Sequence, residues 1–202
     1  VGAHIRVKIC GITRADDAFA AADAGADAIG LVFWKGSARA VTHDQACVVV
    51  AALPPFVTVV GLFVDPSFDE VRQTLARVPL DLLQFHGAET APFCRAFGRP
   101  YLKALTMAPG IDLLESLSPF EDAAGVLIDG PAVEGIPGGT GRTFDWSLLP
   151  PLFPRPLVLS GGLHAGNVRE AIRRVRPWAV DVSSGVEARG ADGAPLKGIK
   201  DA

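Results

Sequence analysis

The chain has 202 residues, of which 49% are hydrophobic and 20% charged, with a formal net charge of −3. That length suits one domain with a substantial core, and that composition excludes a disordered chain. With no long basic run, the charge gives nucleic acid or a membrane surface little to hold, while leaving room for a local anion site.

No secretory signal is read, and no uninterrupted apolar run approaches the roughly 20 residues of a membrane-spanning helix. Cys10, Cys47 and Cys94 match neither a disulfide framework nor a zinc spacing. A cytoplasmic protein is expected, with Cys47 and Cys94 as small core residues.

The first apolar run, 5–10, ends at Cys10-Gly11. Thr13 and Asp16 then have capping-box spacing, which predicts a helix start. A second run, 28–34, leads to Thr42 and Gln45 with the same spacing. Ala46, Val49, Val50 and Leu53 follow on one helical face. A third run, 57–64, precedes Ser67 with Glu70, and Phe68, Val71, Leu75 and Val78 continue the pattern. Runs at 80–85 and 101–105 come next, and 111–118 allows only a short helix around Leu113, Leu114 and Leu117. The sixth run, 124–129, opens into a glycine-rich loop at 130–143 and a short helix from Phe144 to Leu149. A proline-rich connection, 150–156, joins the seventh run, 156–160. Ala165, Val168, Ile172 and Val175 mark a helix before the eighth run, 179–183.

The runs are mostly continuous rather than alternating, as in parallel strands buried on both faces. Eight of them with helices between suit a single α/β domain over 1–202, either a closed (β/α)₈ TIM barrel or an open doubly wound sheet. Eight units in about 200 residues favour the barrel. No G-x-G-x-x-G follows the first strand, which removes the dinucleotide fingerprint.

Barrel chemistry sits at the C-terminal strand ends. Those ends carry Lys8 and Cys10, Phe33 to Arg39, Asp65, Gln84 and His86, Lys103, Asp129, Ser160 to Gly162, and Asp181 to Ser184. A thiolate at Cys10 can act as base or nucleophile, and Lys8, two residues away on the same face, is a cation that could activate it. The alternative is an inert buried thiol. Asp129 follows Val126-Leu127-Ile128, where burial would favour a protonated general acid; it could instead brace the next loop. Asp65 and Asp181 have turn roles as alternatives. Arg39 offers a bidentate fork for a carboxylate. His86 is a base or a loop brace. The glycine and serine clusters after strands seven and eight suit a phosphate cradle.

Several segments together resemble phosphoribosylanthranilate isomerase, the barrel family of tryptophan biosynthesis. They are Lys8-Ile9-Cys10-Gly11-Ile12-Thr13, Gly30-Leu31-Val32-Phe33, Gln84-Phe85-His86-Gly87, Leu127-Ile128-Asp129, Gly138-Gly139-Thr140-Gly141 with Phe144-Asp145-Trp146, Leu159-Ser160-Gly161-Gly162-Leu163 with Asn167, and Val180-Asp181-Val182-Ser183-Ser184-Gly185-Val186-Glu187. The resemblance spans almost the whole chain. It implies an Amadori rearrangement of N-(5-phosphoribosyl)anthranilate to its 1-deoxyribulose 5-phosphate, with neither cofactor nor metal. It implies Cys10 as general base, Asp129 as general acid and Arg39 on the anthranilate carboxylate. Gly161, Gly162, Ser183 and Ser184 correspond to the phosphate cradle, and Gly139 to part of a substrate-covering segment. Lys8, His86 and Asp181 complete the expected substrate-binding set. The implied partner is a small-molecule substrate, with the protein a monomer or homodimer.

Two departures stand out. Ala38 replaces the proline that commonly precedes the arginine, which loosens the presentation of Arg39. Gly198-Ile199-Lys200-Asp201 resembles the start of the family's last helix, so a truncated last helix is expected. Rival readings are another aminosugar-phosphate isomerase, a different phosphosugar barrel and a non-catalytic sugar-phosphate-binding barrel.

Overall fold

The computed structural model describes residues 4–108, 110–131 and 143–201. Eight strands close into a parallel barrel in sequence order. They are β1 Arg6–Cys10, β2 Ala28–Val32, β3 Thr58–Phe63, β4 Leu82–Phe85, β5 Tyr101–Thr106, β6 Gly125–Asp129, β7 Leu157–Leu159 and β8 Ala179–Val182. Pairing of β1 with both β2 and β8 closes the ring and sets Lys8 beside Asp181. The continuous apolar runs are thus explained: the strands face the barrel interior on one side and the packed outer segments, mostly helices, on the other. Among the described residues, no helix is long and apolar enough to cross a membrane.

The connecting helices are α1 Ala15–Asp23, α2 His43–Ala51, α3 Phe68–Arg77, α4 Ala91–Arg95, α5 Leu113–Leu117 and α6 Val168–Val175. Two expected capping boxes form, Thr42 with Gln45 and Ser67 with Glu70. Thr13 with Asp16 does not: α1 starts after Arg14 without a side-chain cap. The Thr13 hydroxyl instead donates to the Gly198 carbonyl at 2.5 Å. The short helix expected near Phe144 is a 3₁₀ turn, Trp146–Leu148. Leu53 lies beyond the end of α2.

The C-terminal stretch also differs from expectation. Gly198 to Lys200 lie in a strand, β10 Pro195–Lys200, antiparallel to β9 Glu187–Arg189. A helix cannot start there because the backbone is committed elsewhere. The Lys200 amide donates to Asp17 at 3.1 Å and the Gly198 amide to Glu187 at 2.8 Å.

Cys94 is fully buried in the largest apolar cluster, while Cys47 is only half-buried and its thiol reaches the Arg77 carbonyl. Burial pushes the Cys94 thiol up from 9.0 to about 12, against the pull of Lys103. The unfolded chain therefore loses this proton first as pH rises, and folded-state stability falls between about pH 9 and 12. Denaturant melts across that window should show the decline, and Cys94→Ala should flatten its slope. An equal slope in the variant would contradict this assignment.

Candidate active site

The C-terminal strand ends surround a cavity of about 1150 Å³. Cys10, Arg39, Gln84, His86, Asp129, Ser160, Gly162, Asp181, Ser183 and Ser184 all line it. Cys10 and Asp129 sit on β1 and β6, three strands apart around the ring. They therefore approach a shared space from different sides. Lys8 and Gly161 do not line it; Lys8 pairs with Asp181, which does, and Gly161 packs on the Gly130 backbone. Gly139 lies outside the described residues.

On β1, Lys8 is buried and its ammonium donates to Asp181 at 2.7 Å. Burial disfavours the Lys8 charge, but Asp181 and Cys10 more than compensate and hold it above its ordinary value. Burial pushes the Cys10 thiol up, while the neighbouring Lys8 charge pulls it down. Gly30 makes room for this pair: a Cβ there would sit 2.7 Å from the Cys10 sulfur and 3.2 Å from Lys8 Cε.

Asp129 ends β6 between Gly130 and His86. Oδ1 accepts the Gly130 amide at 2.8 Å, and Oδ2 lies 3.4 Å from His86 Nε2. The Gln84 amide contacts His86 Nδ1 at 3.2 Å, so Gln84 and His86 reach from the end of β4 toward Asp129 on β6, with β5 between them. Gln84 Oε1 and His86 Nε2 are both buried without a hydrogen-bond partner. Buried polar atoms normally find partners, so these two are poised to receive one from the cavity.

The β7 loop needs its glycines. Gly161 has φ +85°, and a Cβ there would collide with the Gly130 backbone beside Asp129. Asn167 donates to the Gly162 carbonyl at 3.0 Å and accepts the His164 amide at 2.8 Å, which fixes the loop. The β8 loop, with Ser183 and Ser184, packs against it through a bridge between His164 and Gly185.

Arg39 departs from expectation. Its bidentate contact is already made, through Nε at 2.6 Å and Nη2 at 2.9 Å to the two carboxylate oxygens of Glu187. A substrate carboxylate would have to meet the other edge of the fork, formed by Nη1 and the second Nη2 hydrogen. Ala38 does not leave the loop slack. Ser37 accepts the Arg39 amide on its hydroxyl and the Ala40 amide on its carbonyl, and Val41 returns to Val32.

Two strand-end candidates take other roles. Lys103 pairs with Glu89 at 2.8 Å and donates to the Gly87 carbonyl at 2.6 Å. Asp65 accepts the Ala88 amide at 2.6 Å. Both brace the loop after β4 that begins at His86. Asp181, left open between turn and site, is a barrel residue paired to Lys8. Sequence reasoning assigns no role to Glu187 or Lys200. Their contacts join segments far apart in the chain, and nothing local marks them. Trp34 also lines the cavity, with Val32, Leu62 and Val64 as an apolar wall.

Among the described residues, no cluster of His, Cys, Asp and Glu could hold a metal ion. The groups gathered there could exchange protons with a bound molecule, at Cys10 and at Asp129, and the Arg39 fork and loop amides could meet anions.

Fold and cavity together define a (β/α)₈-barrel enzyme whose polar groups converge at the C-terminal mouth. Residues 7–196 match the family model of N-(5'phosphoribosyl)anthranilate (PRA) isomerase. The N-(5'-phosphoribosyl)anthranilate isomerase of Pseudomonas paraeruginosa is 59% identical over 198 residues, covering 98% of this chain and 90% of that protein. Its counterpart from Alcanivorax borkumensis is 57% identical over 197 residues, with the same coverage. The crystal structure of the Thermotoga maritima phosphoribosyl anthranilate isomerase superposes with a TM-score of 0.86 at 41% identity, covering 98% of this chain and 93% of that one. Another solved structure, an isomerase in complex with reduced 1-(o-carboxyphenylamino)-1-deoxyribulose 5-phosphate, gives a TM-score of 0.82 at 39% identity, with coverage of 98% and 93%. This chain belongs to the N-(5'-phosphoribosyl)anthranilate isomerase family.

Proposed function

We propose that this chain rearranges N-(5'-phosphoribosyl)anthranilate to 1-(2-carboxyphenylamino)-1-deoxyribulose 5-phosphate, with Asp129 as general acid and Cys10 as general base. The observation that carries the assignment of roles is the shared cavity. The Cys10 thiol, the Asp129 carboxyl, the Arg39 loop and the glycine–serine loops after β7 and β8 all line it, from different strands.

Asp129, protonated, gives its proton to the furanose ring oxygen. The C1–O bond breaks and its electrons stay on that oxygen, leaving an iminium between C1 and the anthranilate nitrogen. Cys10, as thiolate, removes the proton from C2, and the C–H electrons flow into the iminium to give an enolamine. A proton then returns to C1 and one leaves the C2 hydroxyl, so the ketone forms and the proton count balances. The iminium nitrogen is the electron sink. Each positioned proton-transfer group contributes about 10²–10⁴-fold.

The glycine–serine loops after β7 and β8 hold the phosphate, far from C1 and C2, and so supply binding energy for orientation. Arg39 meets the anthranilate carboxylate. The partnerless Gln84 Oε1 and His86 Nε2 meet the sugar hydroxyls. Gly139 belongs to the covering segment, and the enzyme works in the cytoplasm as a monomer or homodimer. A non-catalytic sugar-phosphate barrel would need the loops but not the acid and base.

Lys8 is the group that makes a buried thiolate feasible. Removing its charge leaves only the more weakly acting Lys200 to oppose burial and Asp181, both of which raise the thiol. Lys8→Met should therefore move Cys10 ionisation to higher pH. The check is the pH dependence of Cys10 alkylation by iodoacetamide, read by mass spectrometry in a Cys47→Ser background. A midpoint that stays put or falls would remove Lys8 from this role.

A further inference from the structure

Glu187 is a buried acid, and its partners come from segments far apart in the sequence. Its side chain is 0% exposed and that of Arg39 11%. It takes the Arg39 fork with both oxygens, and Oε1 also accepts the Gly198 amide at 2.8 Å. Lys200 Nζ lies 3.7 Å from the same oxygen and donates to the Ser183 carbonyl at 3.0 Å. Burial alone would favour the protonated acid. The Arg39 bonds, the Gly198 amide and the Lys200 charge outweigh that and hold Glu187 below its ordinary value.

The strands that carry these groups are themselves pinned. β9 pairs with β10, and β10 is tied to the β1–α1 segment by Thr13 and by Asp17. Asp17 is held in turn by Arg14 at 3.0 Å. Glu187 is thus fixed in a rigid frame, while Arg39 comes from a loop after β2 with a flexible stem. A bidentate pair fixes the guanidinium plane as well as its position. With Nε and Nη2 spent on Glu187, only the opposite edge of the fork faces away. Lys200 adds a second cation, so protonated Lys200, Arg39 and ionised Glu187 sum to one net positive charge. A monoanionic carboxylate complements that.

We infer that Glu187 is the positioning residue for carboxylate recognition: it aims Arg39, so the β9–β10 hairpin is part of the site that reads the substrate's carboxylate. The inference rests on the functional reading above, and its test separates the two. The probes are reduced 1-(o-carboxyphenylamino)-1-deoxyribulose 5-phosphate and the same compound without the ring carboxylate, titrated calorimetrically into the full chain. The wild type should bind the carboxylate-bearing probe more tightly. Glu187→Gln keeps size but loses one of the two charge-assisted bonds. It should weaken that probe by about tenfold and leave the other within about twofold. KM for phosphoribosylanthranilate should rise far more than kcat falls.

Removing both partners guards against a buried unpaired charge. In an Arg39→Ala background, Glu187→Gln should cause no further selective loss, because the two act as one unit. Equal weakening of both probes in Glu187→Gln, or no weakening of either, would overturn the inference. So would a further carboxylate-selective loss in the Arg39→Ala background. Failure of the wild type to bind either probe would overturn the functional reading and take the inference with it.

Discussion

Asp129→Asn is expected to lower kcat by about 10²–10⁴-fold while the reduced product analogue still binds. The two side chains have the same shape. The amide oxygen of the variant could still accept the Gly130 amide, which Oδ1 of Asp129 accepts at 2.8 Å, so the end of β6 should keep its conformation. An amide, however, cannot deliver a proton to the ring oxygen. The β7 loop packs directly on Gly130 through Gly161, and the phosphate-binding loops should survive with it. A fall in kcat without a matching loss of binding separates a chemical role from a structural one. Steady-state turnover within tenfold of wild type would remove Asp129 as the acid.

Cys10→Ser is expected to have an effect of the same order. Serine fits the site, since Cys10 is buried on β1 against Gly30 with little spare room. A hydroxyl ionises far less readily than a thiol, and the Lys8 charge that pulls the buried Cys10 thiol down cannot bridge that gap. The C2 proton would lose its acceptor. Steady-state kinetics with the two variants, beside titration of the reduced analogue, should give two inactive proteins that bind. Near-normal kcat in Cys10→Ser would overturn its role as base.

The barrel was readable because its signals are local. Continuous Val, Ile and Leu runs such as 57–64 and 124–129 demand burial on both faces, and Thr42 with Gln45 or Ser67 with Glu70 close boxes within one turn. The cavity-lining strand ends followed from the fold, because parallel barrels gather their C-terminal ends at one mouth. What escaped was long-range. Thr13 has the spacing of a cap, yet its hydroxyl is claimed by Gly198, 185 residues away. Arg39 reads as a free fork, yet Glu187 occupies one edge of it across 148 residues. Gly198 to Lys200 carry no strand signal of their own. Their conformation is set by Asp17 and Glu187. Local pattern gives elements, while the partners of a buried charge appear only once the chain has folded.

The carboxylate site shows the same division. By sequence alone Ala38 weakens it, because a proline usually stiffens that loop. The structure supplies stiffness from elsewhere, in Ser37 below the loop and Glu187 across it. On the inference above, recognition of the substrate's carboxylate then depends on the β9–β10 hairpin as well as on the β2 loop.

Whether the Cys10–Asp129 cavity performs the anthranilate-linked Amadori rearrangement is tested most directly by following the loss of phosphoribosylanthranilate fluorescence with the purified chain. The related aminosugar phosphate of histidine biosynthesis serves as the parallel substrate, and Cys10→Ser and Asp129→Asn as blanks. Rapid fluorescence loss in the wild type, none above background in either variant, and much slower turnover of the histidine-pathway compound is the expected result. Preferred turnover of that second compound, or equal fluorescence loss in wild type and variants, would contradict the account.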